Sequence, residues 1–409
     1  MTHRTPWTGQ GWTVRPDAPF PPSGVGGLHL KRFVILTALL LTQLAGTLSA
    51  DDLYLRDGRE PLTGVVVQNE SFARVEYRRR SVTQKVDSKE ILSIHYGRTN
   101  KDYVAAVAAR DGGDMLAAAQ LFLNASEDEG LSDFVRATAL AECGDALLTN
   151  NNFVEAEQYF TELLTMFPNT RHLARALLGK GSAQFMQRKT SDAEATFQTL
   201  KSEVGSKDLG EAWDLEADFF LLWVAEAKGE KGVIDGYQDL RERAKADYPS
   251  VSNKCALRIG RVQLANEDVA AARPYFEEII ESRLTTDVTV VAGAFNGRGR
   301  CIFAEAQAAL QASRDASSKR DSVNAESFRE DALADFREAR LDFLRVQTVY
   351  RGVAREQPEA LYWGAQCFLN VAGLDGGEDD AERLGKILLK RCKDGYGESE
   401  WGQRAAAEL

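Results

Sequence analysis

Histidine and cysteine are the side chains most readily turned to metal binding or nucleophilic attack near neutral pH. This 409-residue chain holds only four of the one and five of the other. The cysteines (Cys143, Cys255, Cys301, Cys367 and Cys392) form no C-x2-C pair and have no histidine close in sequence, so the paired spacing of a structural zinc site is missing. No serine or cysteine stands in a nucleophile motif such as G-x-S-x-G. Gly297-Arg298-Gly299 lacks the G-K-[ST] ending of a phosphate loop. Glu278 and Glu281 would share a helix face as paired carboxylates, but a solvated face accounts for them better than acid/base chemistry. The acidic run 375–380 lacks the twelve-residue ligand alternation of a calcium loop. It reads instead as a loop whose acids meet a helix start, where the dipole favours them. No catalytic, cofactor or metal site is therefore expected, and the protein is expected to act by contact. His95 and His172 are the only histidines outside the first fifty residues. The first reads as a structural residue at a strand end, the second as a surface residue opening a helix beside Arg171.

Lys and Arg number 50 against 61 Asp and Glu, a formal charge of -11. That sign disfavours a nucleic-acid partner, which needs a basic face. Residues 1–50 read as a leader. Lys31-Arg32 precede an apolar run, 33–48, and a small-residue exit ending at Ala50, the pattern of a secretory signal. Cleavage after Ala50 is expected, giving an exported, periplasmic or envelope-associated protein. The alternative is retention as an anchor, with membrane contact only through the uncleaved leader, although the run is shorter than the roughly 20 residues that span a bilayer. Val25, Leu28 or Leu30 would be the alternative, non-AUG translation starts. The leader carries Arg4, Arg15, Lys31 and Arg32 against Asp17, so its removal takes the charge from -11 to -14.

From 51 to 97 the pattern has period two. The segments 53–55, 62–67, 73–78, 82–86 and 91–96 read as five short strands separated by turn residues such as Asp57-Gly58 and Asn69-Glu70-Ser71. The order resembles a small SH3-like or Sm-like β-barrel. Arg78-Arg79-Arg80 falls between two strands and reads as a solvated hairpin tip, the alternative being contact with an anion or polysaccharide.

Beyond Tyr103 the apolar spacing becomes helical and recurs. From Gly144, offsets of 3, 12, 16 and 24 reach Leu147, Ala156, Phe160 and Pro168. Gly181, Ala193 and Phe197 repeat the steps of 12 and 4, as do Gly260, Ala272 and Phe276. Ala118 and Phe122 share the final step, and so do Ala339 and Phe343. A small residue midway along a first helix lets a second approach closely. Alanine four residues before phenylalanine puts both on one face of that second helix. These residues resemble the tetratricopeptide repeat. The resemblance implies a mainly α fold, a right-handed solenoid of antiparallel helix pairs over 100–409, preceded by the β module at 51–97. Weaker units cover 217–249, with Gly236 and Leu240, and 358–396, with Gly364. A charged insert near 305–338 reads as a long helix pair or a mobile loop, and 398–409 as a capping helix. Cys367 and Cys392 fall in the last unit, where they either bridge its two helices or serve as small buried hydrophobes.

In this family the first helix of each pair lines an inner groove. Carried over residue by residue, the groove holds Ala141, Asp145 and Leu148, then Leu178, Ser182 and Phe185, then Leu257, Arg261 and Leu264, and finally Leu361, Ala365 and Phe368. The Lys and Asn clamp with which some members hold a peptide carboxylate is not present. The lining is apolar with scattered polar groups, suiting an apolar or amphipathic partner; the alternative is that these residues pack against neighbouring helices. The resemblance implies an exported, non-enzymatic scaffold or adaptor whose array binds a protein or peptide of the bacterial cell envelope. The second reading is a peptidoglycan or polysaccharide contact through the β module, with the array as spacer.

Overall fold

The computed structural model describes residues 50–409, apart from 57, 245–246, 283–286 and 375–379. The leader with its apolar run, and most of the acidic loop at 375–380, lie outside the described residues. Residues 50–409 form one compact unit.

Five strands come first: β1 (Asp51–Leu55), β2 (Leu62–Glu70), β3 (Arg74–Arg79), β4 (Val82–Asp87) and β5 (Ile91–His95). They form one antiparallel sheet in the order β4-β3-β2-β1-β5. The barrel-like closure expected from sequence is not made, because β4 and β5 do not pair and the sheet keeps two edges. Alternation places Leu53, Leu55, Val65, Val67, Val75, Tyr77, Ile91 and Ile94 in a common core. The β3–β4 turn is Arg80-Ser81, both with positive φ (49° and 71°), the twist a two-residue hairpin requires. Arg78, Arg79 and Arg80 are all exposed there. Asp51 is buried, and its carboxylate accepts from the backbone of Val67 at 2.7 Å and of Gly97 at 2.9 Å, tying three parts of the sheet together.

Fifteen helices follow among the described residues: α1 (Lys101–Asp111), α2 (Met115–Glu127), α3 (Asp133–Thr149), α4 (Phe153–Met166), α5 (Leu173–Met186), α6 (Thr190–Lys207), α7 (Glu211–Ala227), α8 (Val233–Ala244), α9 (Pro249–Ala265), α10 (Val269–Glu281), α11 (Val288–Ser318), α12 (Ser322–Thr348), α13 (Gln357–Ala372), α14 (Ala381–Tyr396) and α15 (Glu400–Ala407). Each packs on the next, and odd-numbered helices also touch one another. This is the helix-pair stacking of a tetratricopeptide-like array, and the fold is mainly α. Short side chains start the helices: Asn100 caps α1, while Asp114, Asp268 and Asp321 cap α2, α10 and α12 through backbone N–H groups. The charged insert is helical. It lengthens α11 and α12 into a hairpin held by Ala306, Leu310, Ala332 and Phe336.

The recurring glycines meet the recurring phenylalanines. A Cβ on Gly144 would stand 2.7 Å from the Phe160 ring, one on Gly181 2.5 Å from Phe197, and one on Gly260 2.8 Å from Phe276. Phe160 is also closed in from the other side by Gly179, and Phe276 by Gly297. Phe160 and Phe276 are thus each pressed between a glycine of their own pair and one of the next, while Phe197 meets Gly181 alone. Ala156, Ala193, Ala272 and Ala339 are fully buried on the same faces, as is Phe343. Leu147 is buried in α3, and Pro168 lies in the turn between α4 and α5.

Candidate functional site

The sheet rests on odd-numbered helices of the array, and a cleft of about 610 Å³ opens between β5 and α1, α3, α5 and α7. Helical spacing builds its wall. Tyr103, Val107 and Arg110 are spaced by four and three on α1 and Thr138 and Glu142 by four on α3, which brings each set to one face; Arg171 stands two residues before α5 and Arg175 in its first turn. Trp213 of α7 also lines the cleft.

Two polar networks hold the wall. In the first, Arg110 donates to Glu142 at 2.8 Å, and Arg175 donates to Glu142 at 2.9 Å and to Asp145 at 2.6 Å. Burial alone would push the Glu142 carboxyl up, but Arg175 and Arg110 together hold it below the usual range. In the second, Arg171 donates to Glu70 of β2 at 3.0 Å, and the Tyr96 hydroxyl lies 2.5 Å from Glu70 and 3.2 Å from Thr138. Burial pushes Glu70 up in spite of Arg171. His172 Nε2 sits 2.9 Å from the Thr138 hydroxyl. The sequence reading of His172 as a surface residue is corrected. It is 5 % exposed, and burial, then Arg171 and Arg175, hold its pKa well below 6.5, so the ring is neutral. His95 packs on Tyr54 with ring centroids 4.6 Å apart. Phe72 N–H donates to the Asn169 carbonyl and Lys89 pairs with Asp208, completing the attachment of sheet to array.

The residues assigned to a groove from sequence divide in two. Ala141, Leu257, Leu264, Leu361, Ala365 and Phe368 are buried in the hydrophobic interior. Asp145, Leu148, Leu178, Ser182, Phe185 and Arg261 are half-buried. Asp145 is engaged by Arg175, and Arg261 by Glu356 at 2.6 Å. Ser182 donates to the Leu178 carbonyl, and Phe185 packs on Trp223 at 4.9 Å. Sequence reasoning missed the cationic and aromatic members of this surface. Trp223 lies between the guanidinium groups of Arg258 and Arg355, at 4.8 and 4.6 Å. The i,i+4 pair Thr138/Glu142 was the available signal.

All five cysteines are free and buried, so the bridge between Cys367 and Cys392 is not formed. The Cys392 thiol instead donates to the Pro358 carbonyl at 3.4 Å. Burial pushes the Cys143, Cys255 and Cys301 thiols up to about 12. Among the described residues no three His, Cys, Asp or Glu side chains cluster as metal ligands, and no helix is long and apolar enough to cross a membrane.

Fold and cleft together define a helix-pair repeat protein with a β-sheet docked on odd-numbered helices. No protein-family model matches the chain, and no curated protein matches it. Among solved structures it is similar to a tetratricopeptide repeat protein from Parabacteroides merdae, at 12% identity and a TM-score of 0.41, over 75% of this chain and 98% of that one. A TPR repeats protein from Bacteroides fragilis is similar at 12% identity and a TM-score of 0.22, over 71% of this chain and 97% of that one. Neither superposition is close enough to bear on function.

Proposed function

We propose that the protein is an exported, non-enzymatic scaffold that binds a protein or peptide partner in the bacterial cell envelope. The observation that carries the binding role is the cleft. It is open, of mixed polarity, built from four helices and one strand, and walled by polar groups already engaged in structural pairs rather than poised for reaction. Export is supported by the leader pattern and by the start of the compact unit at Ala50, where cleavage is expected.

Affinity purification of the tagged full-length chain from its own envelope, followed by mass spectrometry, tests both parts. A co-purifying protein and a mature N-terminus at Asp51 are expected. Recovery from the cytoplasm with residues 1–50 intact overturns the export reading, and absence of any enriched protein overturns the binding reading.

A further inference from the structure

The two edges of the sheet are built differently. β4 carries Lys85 and Asp87 among exposed residues, the charged edge by which sheets resist pairing with another chain. β5 reads Ile-Leu-Ser-Ile-His, without lysine, acid or proline, and among the described residues no strand pairs with its outer side. Every residue from Ile91 to Tyr96 lines the cleft. The outer side of an antiparallel edge strand presents backbone N–H and C=O groups, and a five-residue edge offers them over about 17 Å.

Side chains around that edge are arranged for an incoming strand. Leu92 on β5 and Val104 on α1 are 59% and 61% exposed, and both line the cleft. Large apolar groups left open on two walls can receive the alternate side chains of an extended chain. Arg56 stands beside the start of β5, its N–H donating to the Glu90 carbonyl at 2.9 Å. Arg56 lines the cleft and makes no ion pair among the described residues, whereas Lys89, Arg110, Arg171 and Arg175 all have carboxylate partners. Burial and the neighbouring Arg171 both disfavour the Arg56 charge, and an anion placed there relieves both.

The geometry points to strand addition: an extended segment of a partner protein pairs with the outer edge of β5, sets apolar side chains against Leu92 and Val104, and places a carboxylate at Arg56. This rests on the protein-binding reading and commits it to one mode. A bound helix would satisfy its own backbone and leave the β5 edge unused.

Panning a phage-displayed library of random decapeptides on the full chain tests the inference. Enriched sequences should alternate apolar residues and carry Asp or Glu near one end. In a synthetic peptide of that sequence, N-methylation of alternate amides should weaken binding at least tenfold in one register and leave it unchanged in the other. Leu92→Lys and Arg56→Glu should each weaken binding at least tenfold with an unchanged circular dichroism spectrum. The inference is overturned if no sequence is enriched, if both methylated registers bind as well as the parent, or if Leu92→Lys binds like the wild type. Envelope capture separates the two levels. A partner retained by Leu92→Lys keeps the binding reading and removes strand addition; no partner for either protein removes both.

Discussion

Replacing Gly144 with alanine isolates the packing device that repeats along the array. The new Cβ would stand 2.7 Å from two Phe160 ring carbons, where ordinary contact begins at 3.4 Å. In an open environment the ring would retreat by several tenths of an ångström. Here it has nowhere to go, because Gly179 of the next pair closes its far side. Overpacking of this kind costs about 1–3 kcal/mol, and the lack of an escape route puts Gly144→Ala near the upper end. Against that, alanine in a helix is favoured over glycine by about 1 kcal/mol. The net expectation is a loss of about 2 kcal/mol. Gly205→Ala in α6 is the control: it meets nothing within 4 Å, and should gain about 0.5–1 kcal/mol. Phe160→Leu shortens the offending side chain, so adding it to Gly144→Ala should cost less than the sum of the two changes by about 1 kcal/mol or more. Urea midpoints from far-UV circular dichroism give the global values, and amide exchange in α3, α4 and α5 gives the local ones. If Gly144→Ala raises the midpoint as Gly205→Ala does, the glycine is not there for close approach and the reasoning fails.

Three further outcomes follow from the polar interior. Below pH 6.5 the unfolded chain binds a proton on His172 that the folded chain refuses, so stability should fall with falling pH by about 1.4 kcal/mol per unit from this group, an effect absent above that pH; His172→Asn should flatten the slope just below about pH 6.5, and an unchanged slope would assign the titration to another group. Arg171→Leu leaves Glu70, whose side chain is 2% exposed, without its cation, and should cost about 3–5 kcal/mol. Amide exchange should rise first in β2 and β5, and Arg171→Met with Glu70→Met should recover most of the loss; exchange confined to the array would place the pair's role elsewhere. Finally, none of the five buried thiols should react with an aromatic disulfide reagent at pH 8 before unfolding, and gel mobility should be the same with and without reductant; a fast-reacting thiol or a mobility shift would contradict the packing described.

The mainly α fold of paired helices was legible because its contacts are local and periodic. Gly144 and Phe160, or Gly260 and Phe276, belong to adjacent helices, so their partnership appears as a fixed offset in sequence. Gly179 and Gly297 were not legible, since each serves a phenylalanine of the preceding pair. The five strands showed in their alternation, but closure of the sheet did not, because alternation constrains faces and says nothing of which edges meet. Apart from the i,i+4 spacing of Thr138 and Glu142, the cleft was hidden. Tyr96 meets Thr138 across 42 residues and Glu70 meets Arg171 across 101, and no local pattern reports such pairings. The groove assignment carried from the repeat pattern named Asp145 but passed over Glu142 and Arg175, which complete its network.

The attachment of the sheet also sets an order of events. The array is stitched from neighbours and can condense as it is made, since short-range contacts close quickly. The sheet is made first, yet its anchors lie far downstream: Lys89 reaches Asp208, a separation of 119 residues. Closing so long a loop is entropically slow compared with pairing adjacent helices. The amino-terminal module therefore completes its docking only after α6 has been made and folded. In the life of the chain the strand that comes early is the piece that settles late, and until then the part of the cleft wall built by α5 and α7 is not in place.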